Sequence, residues 1–189
     1  MPLALPLRLA RARHPNTSGR ETSVIELIGL ERIEEGAVEQ LLDRAFGADR
    51  HGRTAYRLRA GVRALSGASL AAIEDGALLG TIQLWPVLFS GDDGRRIPLI
   101  LVGPVAVVPE RQRDGIGRQL VAGALTRVAD EPLMLIGDPE YYGRFFGFDA
   151  ARTGGWRLPG PVERHRLLAR GDGVPAGEGS IGPDTASRV

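Results

Sequence analysis

Two glycines two residues apart, Gly115 and Gly117, lie in the polar stretch PERQRDGIGR (residues 109–118), flanked by Arg111, Arg113 and Arg118. The segment joins an aliphatic run to an amphipathic one, so it reads as the turn between a strand and a helix. A helix start presents unpaired backbone N–H groups and the positive end of the helix dipole, and glycines let an oxyanion come close to them. Each such contact contributes on the order of 0.3–1 kcal/mol when exposed, so several must converge. Gln112, Arg113, Asp114, Gly115, Ile116 and Gly117 provide that convergence, with Arg111, Arg113 and Arg118 available for additional charge. The chemistry implied is the binding of a pyrophosphate. The glycines also suit close packing of a turn on a strand.

The elements that must position this turn can be read on either side. Leu99 to Val102 and Val105 to Val108 form an aliphatic, β-branched strand that Pro109 ends. Leu120, Val121, Ala124, Leu125 and Val128 give the following helix one apolar stripe. Upstream, Ser23–Leu30 reads as a first strand, and Glu34–Phe46 as a helix with Val38, Leu41, Leu42 and Phe46 at helical spacing. A second short helix is expected from Thr54 through Tyr56, Leu58 and Val62. Its arginines, Arg53, Arg57, Arg59 and Arg63, form either a solvated face or an electropositive rim. Turns at Glu74-Asp75-Gly76 and Gly91–Gly94 make the middle an antiparallel three-stranded meander over 69–73, 78–87 and the 99–108 run. Downstream come a buried strand, Leu133–Ile136, a short helix opening at Asp138-Pro139, and a closing hairpin of Trp156–Leu158 with Arg164–Ala169. The tail 171–189, rich in Gly, Pro, Ala and Ser, is expected to be disordered, as is an arginine-bearing extension over 1–22. One domain, 23–170, remains.

Composition narrows the chemistry further. All 24 basic residues are arginine, so no lysine can act as a phosphate anchor, Schiff base or general base. With no cysteine there is no thiolate and no disulfide, which fits a cytoplasmic, reducing compartment. His14, His51 and His165 do not cluster, so neither a metal site nor a triad is expected. A net charge of +1 argues against a nucleic-acid partner, and no apolar window is long enough for a membrane span.

A dinucleotide-binding turn is the first alternative for Gly115-x-Gly117, with Asp138 at the end of the next strand as ribose acid. Six residues separate Val108 from the first glycine, and Leu120 stands where a third glycine belongs. The antiparallel meander also conflicts with a βαβ start.

The series Val105-Ala106-Val107-x-Pro109-Glu110-x-Gln112-x-x-Gly115-x-Gly117-x-x-Leu120 resembles the acetyl-CoA motif of the GNAT superfamily of N-acetyltransferases. GDPEYYGRFFGF (137–148) resembles that superfamily's second motif, in particular in its YhbS-type members. The resemblance implies an α/β fold with a mixed, mostly antiparallel sheet, helices on both faces and a splayed central strand pair. It implies that acetyl-CoA is the cosubstrate and that a small-molecule or peptide amine is the acceptor; a homodimer is the one assembly considered. Val105, Ala106 and Val107 would lend backbone groups to the pantetheine arm, and Gln112 to Gly117, with Arg118, would cradle the pyrophosphate. Tyr142 would be the general acid for the departing thiolate. Four residues separate Tyr142 from Gly147, one more than the family pattern. On a regular helix one residue turns a side chain by about 100°, so the extra residue must be absorbed at a bulge or a helix end. No general base is identifiable among Glu110, Asp138 and Glu140. Trp85 either packs in the core or lines the acceptor pocket.

Overall fold

Residues 24–186 are described by a computed structural model. Near-continuous apolar runs, buried on both faces, make two long strands, β3 (Ala77–Gly91) and β4 (Arg96–Val107), and the other strands are built around them. β1 (Glu26–Gly29) and β2 (Leu70–Glu74) extend the sheet antiparallel on one side of β3. On the far side of β4, β5 (Leu133–Ile136) pairs in parallel, and β7 (Leu167–Arg170) pairs antiparallel with β5. The sheet is therefore mixed and mostly antiparallel, as expected.

Four helices connect the strands: α1 (Glu35–Phe46), α2 (Thr54–Arg57), α3 (Ile116–Arg127) and α4 (Pro139–Phe146). α3 buries Ile116, Leu120, Val121, Ala124 and Leu125 against the sheet. Ile116 and Leu120 lie over Gly80, where a Cβ would fall 2.8 Å from the Ala106 carbonyl oxygen. From the region after α2, the Arg59 side chain reaches Gln83 on β3. Gly80 and Gln83 are an odd number of residues apart along the strand, so α3 and the turn after α2 lie on opposite faces of β3.

The second expected helix is shorter than the sequence suggests. α2 stops at Arg57, and the chain turns through Leu58, which is completely buried. Tertiary burial of that leucine outweighs the weak intrinsic preference for a further turn.

The expected closing hairpin does not form. β6 (Trp156–Arg157) pairs in parallel with an eighth strand, β8 (Gly179–Pro183), and β7 goes to β5 instead. The reason lies in the loop between them. Thr54 Oγ1 donates to the Pro161 carbonyl at 2.6 Å and Arg57 Nη1 to the Pro159 carbonyl at 2.8 Å, which ties 159–161 to α2 and prevents a tight turn.

β8 also overturns the expectation of a disordered tail. GSIGP has little strand propensity, but the second half of β3, Val87 to Gly91, has backbone groups free on the edge that β2 does not reach. Pairing with β8 satisfies them, and Ile181 and Val174 become buried beside Phe89 and Trp156. Ile181→Ala should therefore cost about 2–5 kcal/mol in a denaturant titration, whereas a disordered tail would show no change. The expected 1–22 extension lies outside the described residues.

Candidate active site

β4 carries the site because it loses a neighbour half-way along its length. β5 pairs with it only at Ile100 and Leu101. Toward its end, β4 keeps Ile82, Thr81 and Gly80 of β3 opposite Val105, Ala106 and Val107, and its other edge has no ladder partner among the described residues. Where Ile82 and Leu84 face Val105 and Val102, β4 holds one residue more than β3, a bulge at Gly103-Pro104. A bulge bends and re-aims the strand that contains it. The result is the expected splayed pair, with an open edge that offers N–H and C=O groups to an extended amide-bearing ligand.

Two adjoining hollows fill the wedge. The first, about 370 Å³, has Val105 and Val107 as its floor and the start of α3 at one end, with Gln112, Arg113, Gly115, Gly117 and Arg118. Tyr141, Tyr142 and Phe145 of α4 form its wall. The second, about 650 Å³, lies between β4, the α2 region and the 161–166 loop. Val105 and Tyr142 line both.

The two glycines of the turn have different reasons to be glycine. Gly115 caps α3 at φ 76°, a left-handed conformation that disfavours any side chain. Gly117 has ordinary φ, and a Cβ there would meet Val107 Cγ2 at 3.7 Å and Val105 Cγ1 at 3.8 Å. Space for a methyl exists, but anything larger would occupy the groove. The groove beside the N-terminal N–H groups of α3 is thus kept open by the absence of a bulky side chain, and it has room for a phosphate-bearing ligand.

Most of the expected binding residues line the groove, and the remainder are placed differently. Ala106 and Ile116 turn their side chains into the core, at 1% and 0% exposure, so only their backbones can serve. Asp114 is ion-paired with Arg111. Arg111 also holds Glu74 through Nη1 at 2.5 Å and Nη2 at 3.2 Å, so its charge is engaged and not available to a ligand. Arg118 lies over the Phe145 ring, 4.6 Å from its centroid.

Tyr142 is directed from the front of α4. Asp138 caps the helix by accepting the Glu140 N–H at 2.9 Å, and Pro139 fixes the first turn. At the other end Gly147 is left-handed; its N–H donates to the Gly143 carbonyl at 3.1 Å, and the Phe148 N–H to that of Tyr142 at 3.3 Å. The extra residue therefore falls in a regular last turn, downstream of Tyr142 and before the Gly147 cap, with no bulge in the helix. Gly137 makes room for the ring: a Cβ there would lie 2.5 Å from Tyr142 Cε2. Burial pushes the Tyr142 hydroxyl up to about 12, and Tyr141 and Asp138 add to the effect.

The larger hollow contains groups that the sequence reading did not single out. Arg50 is fully buried and bound by Glu39 at 2.5 Å, Asp43 at 2.8 Å and the Tyr56 hydroxyl. Burial opposes its charge, but these three hydrogen bonds outweigh that and raise its pKa above the ordinary value. Glu39 and Asp43, one helical turn apart, repel each other unless a cation lies between them, and that spacing was the available signal. Of the carboxylates considered in the sequence, Asp138 lines the hollow, while Glu110 pairs with Arg44 at 2.9 Å on the surface. Trp85 does not line it. Its ring lies against the Arg59 guanidinium, 4.9 Å away. Among the described residues no group of His, Cys, Asp and Glu is arranged to hold a metal, and no helix is long and apolar enough to cross a membrane.

Comparison with known proteins agrees with this geometry. A crystal structure of the GNAT family N-acetyltransferase YhbS from Escherichia coli, in complex with CoA, is 23% identical. It superposes with a TM-score of 0.63 over 88% of this chain and 92% of its own. A GNAT family acetyltransferase from Brucella melitensis, in complex with acetyl-CoA, is 27% identical, with a TM-score of 0.60 over 87% of this chain and 99% of its own. A comparison with curated proteins finds no match. The family model for the acetyltransferase (GNAT) domain matches residues 29–150. That span is more than half of the chain and includes β4, the glycine turn and α4, and the chain belongs to the GNAT acetyltransferase family.

Proposed function

We propose that this chain transfers an acetyl group from acetyl-CoA to a primary amine of a small molecule or peptide, by direct attack in a ternary complex. The observation that carries the proposal is the meeting of two hollows at Val105 and Tyr142, which gives a donor and an acceptor separate entrances to one point. The Escherichia coli and Brucella relatives, solved with CoA and acetyl-CoA, support the same donor.

The N–H groups from Gln112 to Gly117, with Arg113 and Arg118, hold the pyrophosphate. The open edge from Val105 to Val107 pairs with the amide-bearing arm, and an N–H on it polarises the thioester carbonyl. The amine enters through the larger hollow in its neutral form. Its nitrogen bonds to the acetyl carbon, the carbon–sulfur bond breaks, nitrogen loses a proton and sulfur gains one. Tyr142 donates its hydroxyl hydrogen to the departing sulfur. A thiol, near 8.5 in its reference state, is a stronger acid than this phenol, so the proton that sulfur keeps is made good from the amine.

Thermal denaturation with acetyl-CoA, followed by thiol release on a panel of amines, tests the reading. Stabilisation together with release on at least one amine is the expected result. Stabilisation without release on any amine means an acyl-CoA-binding protein that does not catalyse, and the absence of both removes the donor as well.

A further inference from the structure

We infer that the acceptor is an amine that also bears a carboxylate, and that Arg59 recognises that carboxylate; the inference rests on the acetyl-transfer reading above. Arg59 lines the larger hollow and is only 8% exposed. Its guanidinium lies between two rings, with the Tyr56 centroid at 3.6 Å and that of Trp85 at 4.9 Å. Nη1 donates to Gln83 Oε1 at 3.1 Å. Nε and Nη2 are closed to water and have no hydrogen-bond partner among the described residues, and the same is true of Trp85 Nε1.

Arg50 provides the contrast within the same wall, since it too is buried but is saturated by two carboxylates and a phenol. A buried guanidinium without a counter-ion is costly, and burial draws the Arg59 pKa below its ordinary value. Tyr56 and Glu39 offset that burial only in part, and Nε and Nη2 have no hydrogen-bond partner among the described residues. Nε and Nη2 form the side-on edge of the fork, which matches the two oxygens of a carboxylate; the edge is closed to water, so an acceptor reaches it by displacing the Tyr56 or Trp85 ring that packs on the guanidinium. In a dry site such a charged hydrogen bond is at its strongest.

The rest of the hollow agrees with an anionic acceptor. Arg53 donates to the Phe46 carbonyl at 2.9 Å and Arg166 to that of Gly137 at 3.4 Å, and neither pairs with a described carboxylate. Of the two acids that line the hollow, Asp138 is engaged as a helix cap and Glu163 faces His165 at 3.5 Å. The excess of arginine disfavours polyamines and aminoglycosides and favours amino acids.

The test compares kcat/KM for paired acceptors that differ only in the carboxylate: phenylalanine with phenethylamine, leucine with isoamylamine, and β-alanine with ethylamine. Phosphoethanolamine with ethanolamine forms a fourth pair. The carboxylated member should be preferred by about 10²-fold in at least one pair, mainly through KM. In Arg59→Gln that ratio should collapse to within a few-fold of unity, and in Arg59→Lys, which keeps charge but not the fork, it should be intermediate. Acetyl-CoA stabilisation of each variant reports that it is folded. Equal rates across every pair overturn the inference and leave acetyl transfer standing, as does a ratio that survives in folded Arg59→Gln. Preference for phosphoethanolamine over every carboxylated amine overturns the assignment to a carboxylate. If no amine releases thiol, the acetyl-transfer reading itself fails, and the absence of release distinguishes that failure from the others.

Discussion

Tyr142→Phe is expected to lower kcat by about 10²-fold or more, equivalent to roughly 2.7 kcal/mol of lost transition-state stabilisation, while acetyl-CoA still stabilises the protein. The substitution removes one oxygen from a ring that also packs against Tyr141, Phe146 and Phe148, so the fold should tolerate it. The pH profile gives a second readout. The hydroxyl acts only while protonated, and a pKa pushed up to about 12 from the ordinary 10 keeps it protonated over the whole range in which the amine becomes neutral. The rate should therefore rise with pH and show no alkaline fall near 10. A fall there would place Tyr142 in a wetter setting than the one described. Gly137→Ala should reproduce part of the loss without touching the hydroxyl, since its methyl would be driven into the ring. An unchanged kcat in Tyr142→Phe with a good acceptor removes it from the mechanism.

Gly117→Leu is expected to abolish stabilisation by acetyl-CoA, with affinity falling at least about 10²-fold, or roughly 2.7 kcal/mol. The protein should still fold. The position has no left-handed backbone, and the new Cβ meets Val105 and Val107 at ordinary contact distances, so only the outer atoms intrude, and they intrude on the ligand. Gly115→Ala is the complementary case. It forces a side chain into the φ 76° conformation at a cost of about 1–2 kcal/mol, so it should appear first as a lower melting temperature. If Gly117→Leu binds as well as the parent, the phosphates lie elsewhere.

The local elements were legible because they depend on local causes. The 133–136 strand was readable as a short apolar run after a proline, and α4 from its Asp-Pro start and glycine stop. The glycine turn was readable from its spacing and charge, and Gly103-Pro104 already interrupted the aliphatic run where β4 bulges. By itself, then, the sequence determined the strand–turn–helix that forms the groove, the meander before it and the family.

Tertiary structure decided what depends on partners distant in the chain. Gly179–Pro183 is a strand only because the outer half of β3 offers an open edge and Phe89 and Trp156 an apolar surface, neither of which the tail encodes. Arg111 and Arg113 look alike in sequence; Glu74, 37 residues away, engages the first and leaves the second facing the groove. Arg50 and Arg59 differ in the same way: one is surrounded by carboxylates, and the other lies between two rings with a free edge. A charge has a role only once its neighbours are known, because pairing and desolvation act through space.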